Sequence, residues 1–561
     1  MTFLARYKGY NFERFMADLM AGLIVSVVAL PLSIAFAIAS GVSPEVGIVT
    51  GIIGGIVVSL LGGTSVQIGG PTGAFIVILS GIIAQYGIGG LLLATFMAGV
   101  ILVAMGVLKL GAAIKFIPYP INVGFTSGIA LTIFTSQVPD LFGFEVTGGA
   151  SSLPSDFIGK WLVYFDHFSG FDPLTLCVGL ATILLIVTAP KVLKGVPGSL
   201  VALVVMGVSV FALERCFGIG DVTTIGDRYS FGGSLPSVKG FSVTFDMVRD
   251  IMPSALTIAL LVAIESLLSA TVADGALGER HNSNKELIAQ GVSNMVVPFF
   301  GGIPVTGAVA RTMTNVTSGG RTPVAGIVNG VVLLMMLLFL APLMAHIPMV
   351  CLAGVLAVVS YNMSEWRTFK SMLRGTKSDV TVLVGTFFLT VFFDLTVAII
   401  VGILMAMVLF MRRVAEVTEV SVVRDKLNLS DEDESSHNDE VLDIASGVEV
   451  YHIDGPFFFG VASKFDAVIS RVSEAPKVRV IRMRRVPFMD STGLYNLQLL
   501  VKSSQSNGIK IILSGVNSSV RKSLMKARFD DFIGSDCICD NIHIALKRSV
   551  EYLKSIESDI E

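Results

Sequence analysis

Residues 301–322 read GGIPVTGAVARTMTNVTSGGRT and lie between long apolar segments. The stretch is too short and too rich in glycine for an ordinary membrane-spanning helix. Pro304 and Gly307 interrupt it near its start, and Arg311 follows one turn later. A helix that begins inside a bilayer presents unpaired backbone N–H groups and the positive end of its dipole. With protein instead of lipid around it, such an end is an anion site. The stretch therefore reads as one half of a substrate cradle for an anion.

Outward from this stretch the chain is apolar. Of 561 residues, 53% are hydrophobic and 15% charged, with a mean hydropathy of +0.77. Soluble domains carry about 25% charged residues, so most of the chain belongs in lipid. Apolar runs of spanning length recur as far as Met411. The pattern predicts about 14 segments, near 18–40, 46–61, 67–86, 90–108, 118–138, 172–189, 196–214, 250–272, 285–300, 304–318, 324–346, 349–364, 378–393 and 395–411. An even count puts both termini on one side. Loops on that side hold Arg6, Lys8, Arg14, Lys109, Lys115, Lys191, Lys194, Arg280, Lys285, Arg367, Lys370, Arg374, Lys377, Arg412 and Arg413. The other side holds far fewer, mainly in loops 139–171 and 215–249. Positive charge stays inside, so both termini are expected in the cytoplasm and the chain in the cytoplasmic (inner) membrane.

A weak internal repeat relates two regions. Residues 45–74 read EVGIVTGIIGGIVVSLLGGTSVQIGGPTGA, and residues 286–308 read ELIAQGVSNMVVPFFGGIPVTGA. Both open near a Glu, carry a GG pair after an apolar residue and end in TGA. Seven segments per half would orient the two copies oppositely. Interrupted segments at matching positions of two halves mark a transporter's binding site; the plainer alternative is small residues that let helices pack closely.

Thr72-Gly73-Ala74 and Thr306-Gly307-Ala308 would then start two broken helices aimed at each other near mid-membrane, each with N–H donors and about half a positive charge. Pro71 suits such a start, since its missing N–H needs no partner there. Arg311 lies roughly 6 Å along the axis from Gly307, at about 1.5 Å per residue. An embedded arginine is costly and so is buried and paired. It reads as a fixed positive charge for the anion, or else as a side chain that snorkels to the cytoplasmic side or forms half of a structural ion pair. Glu265, in IALLVAIESLLSATVADG, is the clear carboxylate deep in an apolar span. Desolvation favours the neutral acid and a nearby cation the carboxylate. A glutamate between those effects can take up and release a proton, or join Ser269 in holding Na⁺; a Glu265–Arg311 ion pair is the structural alternative. Pro31 breaks the first span, and Phe36 either caps the site or simply packs.

From residue 446 onward strands (448–453, 478–483, 510–513) alternate with helices (465–472, 491–503, 519–527), which predicts a soluble α/β domain of about 110 residues. A polar linker is expected at 415–445, with the acidic run Asp431-Glu432-Asp433-Glu434 as a solvated tether. The domains expected are thus 1–414, 415–445 and 446–561. In Asp490-Ser491-Thr492-Gly493 either Asp490 or Ser491 reads first as a helix cap. Ser491 is in addition a candidate regulatory site, since a phosphate there would sit at a helix N-terminus.

Some classes are excluded. Five cysteines (Cys177, Cys216, Cys351, Cys537, Cys539) are too scattered for a disulfide framework or a metal site. No nucleophile–base set, metal cluster or phosphate loop is present, so no enzyme, no cofactor and no metal is expected. The net charge of −3 assigns no partner, and no nucleic acid is expected as one.

The combined pattern resembles the sulfate permease (SulP) family of anion transporters and its animal solute-carrier relatives. The resemblance is carried by LPLSIAFA at 30–37, IGGPTGA at 68–74, AIESLLSA at 263–270 and GGIPVTGAVARTMTNVTSGGRTPVAG at 301–326, and it spans essentially the whole chain. FMDSTGL at 488–494 resembles the STAS domain such proteins carry. The resemblance implies two inverted seven-segment repeats, with a core of segments 1–4 and 8–11 moving against a gate of segments 5–7 and 12–14. It implies substrate between the N-termini of segments 3 and 10, a homodimer, and sulfate, bicarbonate, chloride or dicarboxylate moved by H⁺ or Na⁺ symport. A cytoplasmic protein that binds the STAS domain is a further candidate partner. Relatives that couple bicarbonate to Na⁺ have Asp in place of Glu265 and a hydroxyl in place of Val309, and many animal relatives have Gln in place of Leu32. These departures favour H⁺ coupling. Three other readings stay open: a nucleobase-type symporter, a membrane sensor or scaffold signalling through the soluble domain, and an uncoupled channel.

Overall fold

The computed structural model describes residues 10–112, 118–144, 154, 156–193, 196–217, 222–229, 236–238, 240, 245–393, 395–424, 426–428, 441–458 and 475–558. Arg6, Lys8, Lys115 and Lys194, the acidic run 431–434 and the helix expected at 465–472 lie outside them. The chain divides into two units, Met1–Ala406 and Met407–Glu561.

The first unit is helical. Its elements are α1 (Phe12–Ala39), α2 (Pro44–Leu61), the two-residue strand β1 (Gly69–Gly70), α3 (Ile76–Val107), α4 (Tyr119–Phe142), α5 (Phe157–His167), α6 (Pro173–Val192), α7 (Gly198–Phe217) and α8 (Ile225–Arg228). After these come α9 (Phe245–Leu277), α10 (Ser283–Val296), the strand β2 (Thr306–Gly307), α11 (Val309–Thr317), α12 (Pro323–Met344), α13 (Met349–Met363), α14 (Trp366–Met372) and α15 (Lys377–Phe392), while α16 (Leu395–Val417) begins in this unit and ends in the second. Among the described residues, ten helices are long and apolar enough to cross a membrane. A helix lies at each of the places the apolar runs predict. Two of those runs, 67–86 and 90–108, share α3, which breaks at Gly87; its φ of 70° and ψ of −173° suit glycine and few other residues. Helices α10 and α11 have only 14 and 9 residues.

Composition explains the unpredicted pieces. α5 lies in the expected loop 139–171; Asp156 caps it by accepting from Gly159 N at 2.7 Å. Its aromatic residues bind it inward: Phe157 meets Phe392 of α15 edge-on at 5.7 Å, and Tyr164 meets Phe144 at 5.9 Å.

Helices α1–α3 and α9–α12 pack on one another, and so do α4, α6, α7, α13 and α15. Fewer contacts cross between these groups, chiefly from α1 to α7 and α13. The first group is tied by buried polar residues as well as apolar ones. Asp18 of α1 accepts from Arg321 N (2.8 Å), Thr322 N (3.2 Å) and Thr322 Oγ1 (2.5 Å) at the start of α12. Glu286 of α10 accepts from Gly63 N (2.7 Å), Thr64 N (3.1 Å) and Gln290 Nε2 (3.0 Å). A buried carboxylate is tolerated where donors of this kind satisfy it.

The second unit contains a five-stranded sheet in the order β3-β6-β7-β8-β9. Its strands are β3 (Glu419–Val423), β6 (Val448–Asp454), β7 (Val478–Arg485), β8 (Lys510–Ser514) and β9 (Ile538–Cys539); β4 (Lys426–Asn428) and β5 (Val441–Asp443) pair separately. β3 is an antiparallel edge, and the others run parallel. The helices are α17 (Ser491–Ser506), α18 (Ser518–Lys526), α19 (Phe529–Ile533) and α20 (Ile542–Ser558). Both sheet faces are covered: Val478 and Val480 join Ile542 and Ala545 on one, Ile481 and Met483 join Leu497 and Val520 on the other. Strands buried on both faces are expected of a parallel sheet between helices. Part of the stretch 415–445 is therefore not linker. Glu-Val-Ser-Val-Val at 419–423 alternates too briefly to stand out, and pairing with β6 makes it a strand.

Candidate functional site

The two glycine-rich interruptions meet. β1 and β2 pair antiparallel, with Gly69 opposite Gly307 and Gly70 opposite Thr306. Each strand leads into a helical start: a 3₁₀ turn at Gly73–Phe75 that runs into α3, and α11 from Val309. Two residues per strand suffice because glycine lets the backbones close up. A Cβ on Gly70 would lie 2.1 Å from Arg311 Nη1, and one on Gly307 would lie 1.5 Å from Gln67 Nε2.

Polar side chains within the apolar helices hold this crossing in place. Ser266 of α9 accepts from Gly307 N at 3.0 Å, and its hydroxyl lies 2.8 Å from Thr306 Oγ1. Thr306 Oγ1 also donates to Val262 O at 3.3 Å. Gln67 Nε2 donates to Ser266 O at 3.1 Å, and Ala308 N donates to Ile68 O at 3.1 Å. Ser269 donates to Thr312 Oγ1 at 3.2 Å, and that oxygen also accepts from Ile68 N at 3.1 Å.

The candidate residues thus fall into three places. Thr306, Gly307, Ala308 and Ser269 lie in the hydrogen-bonded lattice behind the crossing, with the N–H groups of Gly307 and Ala308 already engaged. The donors a helix start leaves without intrahelical acceptors fall at this end on the first turn of α11, where Val309 is partly exposed and Ala310 exposed. Thr72, Gly73 and Ala74 form the other start, and Thr72 holds the N-cap position in extended conformation. Phe36 of α1 lies against it, its Cε1 3.2 Å from where a Gly73 Cβ would be.

Arg311 and Glu265 are not paired with each other. Arg311, 1% exposed, turns behind β1, where Nη2 donates to Pro71 O at 3.1 Å and to Ser33 Oγ at 3.3 Å. Its Nη1 is buried and meets no acceptor among the described residues. Pro71 is thus tied to the charge by its carbonyl. Glu265 is partly exposed and accepts from Thr72 Oγ1 at 2.9 Å. The acid on α9 therefore touches the cap of the first broken helix directly. The arrangement offers two helix starts, one buried cation and one carboxylate that reports on the cap residue. In the second unit, Asp490 caps α17 by accepting from Gly493 N at 2.6 Å, and Ser491 is exposed at its first position.

Sequence reasoning missed Ser33, Gln67, Ser266 and Thr312, which orient the site. Each is a polar residue inside an otherwise apolar or glycine-rich run, the signal that could have found them.

Gly70→Ala tests the closeness of Arg311 to the strand. Overpacking a filled interior costs about 1–3 kcal/mol, and here the added methyl meets a guanidinium anchored at its other nitrogen. The substitution is expected to lower the unfolding midpoint. A midpoint equal to that of the unsubstituted protein would show that Arg311 yields freely.

Comparison with known proteins places these features. The profile of the sulfate permease family matches residues 15–386, and that of the STAS domain matches residues 441–546. The chain is 41% identical to the putative sulfate transporter YvdB of Bacillus subtilis, over 96% of this chain and 99% of that one. It is 29% identical to the bicarbonate transporter BicA of Synechocystis, over 89% and 88% of the two chains. The solved transmembrane domain of a cyanobacterial BicA superposes with a TM-score of 0.61 at 30% identity, covering 71% of this chain and 98% of that one. The structure of SLC26A9 superposes with a TM-score of 0.86 over 99% of this chain and 93% of that one; at 16% identity it speaks for the fold alone.

Proposed function

The chain belongs to the sulfate permease family of multi-pass membrane transporters, and we propose that it moves a small oxyanion by alternating access, coupled to H⁺. The observation that carries this reading is the crossing of β1 and β2. It brings two helix starts together beside a buried arginine, and the open helix start bonds to the one acid of the site. Helix starts and a guanidinium favour anions and disfavour neutral rings, which argues against a nucleobase substrate. The names of the relatives supply the candidates, sulfate and bicarbonate.

Packing supports a core of segments 1–4 and 8–11 and a gate of segments 5–7, 12 and 13, since the helices of each set pack chiefly on their own set, and segment 14 would complete the gate by its place in the repeat. The two halves would be inverted repeats, as the antiparallel pairing of β1 and β2 suggests. Movement of core against gate would carry the crossing from one face of the membrane to the other. Both termini face the cytoplasm of a cytoplasmic-membrane protein by the charge bias of the loops, and the working form is a homodimer. The STAS unit would receive a cytoplasmic partner, with Ser491 placed so that a phosphate meets the positive end of α17.

Na⁺ coupling is the second reading, for which Glu265 with the Thr72 hydroxyl beside it is the supporting observation. It needs several oxygen ligands converging with Glu265. Thr72 Oγ1 is at hand, but Ser269 is turned to Thr312 and Val309 offers no hydroxyl. Uptake into liposomes of labelled sulfate, bicarbonate, succinate and fumarate, each with and without an inward H⁺ or Na⁺ gradient, separates the readings. Acceleration by the H⁺ gradient alone is expected. No gradient-dependent uptake of any of the four would end the proposal.

A further inference from the structure

The first broken helix is roofed from the opposite helix group. A Cβ on Gly73 would lie 3.2 Å from Phe36 Cε1, 3.3 Å from Met363 Sδ and 3.5 Å from Ile133 Cδ1. In a helical turn the Cα–Cβ direction tilts toward the N-terminus, so these three atoms flank the space in front of the helix start, where an anion would accept its N–H bonds. Phe36 comes from α1, on the same packing group as the crossing. Ile133 and Met363 come from α4 and α13, which pack on each other in the second group. Met363 is the last residue of α13, and the chain turns sharply just after it: Glu365 has φ 41°, a left-handed conformation uncommon outside glycine. The turn is fixed to α4 by Ser127 Oγ, which donates to Ser364 O at 2.5 Å. The two apolar side chains are thus held as one piece.

We propose that Ile133 and Met363 form an apolar lid over the helix start at Gly73, and that the space beneath it admits a compact oxyanion and rejects an extended dicarboxylate. This rests on the reading of the crossing as the anion site. A compact oxyanion keeps all its charge at the N–H groups. A second carboxylate several bonds away would be pressed against the methionine thioether and the isoleucine methyls, which offer it no donor. An unpaired carboxylate in such surroundings is heavily penalised. The second group, carrying the lid, would uncover the helix start whenever core and gate separate, so selection happens at closure rather than at first encounter.

The test compares uptake of succinate with uptake of sulfate and bicarbonate in liposomes carrying the full-length protein. For Met363→Ala, and for Ile133→Ala, the ratio of succinate to the better compact anion is expected to rise about tenfold, the scale on which a change of pocket size discriminates. Met363→Phe, which tightens the lid, is expected to shift the ratio the other way and to slow sulfate more than bicarbonate. Ratios unchanged in all three, with unfolding midpoints close to that of the unsubstituted protein, would overturn the lid. If the alanine variants do not fold, the phenylalanine variant alone decides by the sign of its shift. Failure of the underlying reading shows differently: the unsubstituted protein would then take up none of the anions.

Discussion

In liposomes carrying Glu265→Gln, accumulation of anion against its gradient is expected to vanish while exchange of labelled for unlabelled anion persists. Glutamine keeps the size of the side chain and still offers Thr72 Oγ1 an acceptor, so the 2.9 Å bond to the cap of the first broken helix can survive. What it loses is the ability to gain and lose a proton. If a proton on Glu265 is what permits the loaded core to cross, the amide mimics the protonated acid in both directions, and the cycle runs without its driving ion. The thermodynamics set the size of the effect. One H⁺ moving with a monovalent anion carries no net charge, so a pH difference of one unit supports about tenfold accumulation, roughly 1.4 kcal/mol. With a divalent anion one charge remains uncompensated, and the membrane potential opposes uptake by about 2.3 kcal/mol per 100 mV. The measurement is therefore the ratio of internal to external anion at fixed pH gradient, with the potential clamped. Accumulation by Glu265→Gln equal to that of the unsubstituted protein would remove Glu265 from coupling. Loss of exchange as well would point to a cation site needing the full negative charge.

The second large effect is expected at Arg311. Arg311→Met should raise the half-saturating anion concentration about 10- to 100-fold, the range of a hydrogen bond to a charged group worth about 1.5–3 kcal/mol. Methionine is close to arginine in length and removes the charge without opening a large void. The loss of the bonds to Pro71 O and Ser33 Oγ should lower the unfolding midpoint only modestly, because a buried charge also carries a desolvation cost that the variant sheds. Arg311→Lys should fall between, since an ammonium keeps the charge but lacks the planar fork that reaches two acceptors at once. A half-saturating concentration within twofold of the unsubstituted protein for Arg311→Met would make the arginine a brace of β1 and not a contributor to anion affinity.

Much of this architecture was legible in the chain. The GG pairs and the two TGA endings name the segments that cross, because a backbone that must leave the helix inside a membrane needs residues able to do so. The strands at 448–453, 478–483 and 510–513 were legible because hydrophobic runs between turn signals are a local pattern. β3 was not, because an edge strand becomes one only by pairing. α5 was hidden by its mixture of aromatic and charged residues, which reads as loop until Asp156 caps it and Phe392 receives Phe157.

The candidate site divides along the same line. Composition and motif together set the class of protein, the broken segments, the embedded arginine and the acid within the α9 span, since lipid forbids each of them without a purpose or a partner. Which partner each one takes was decided by tertiary structure. Glu265 bonds to Thr72 across 193 residues of chain, not to Arg311. Arg311 turns behind β1, and the N–H groups of Gly307 and Ala308 are spent on Ser266 and Ile68, which moves the open donors to the first turn of α11. The reason is physical: a hydrogen-bond donor in a dry interior takes whichever acceptor the packing brings within about 3 Å, and that choice is made by helices distant in sequence. Ile133 and Met363 show the limit most plainly, since an apolar side chain carries no mark of the group it will cover until the fold sets it there.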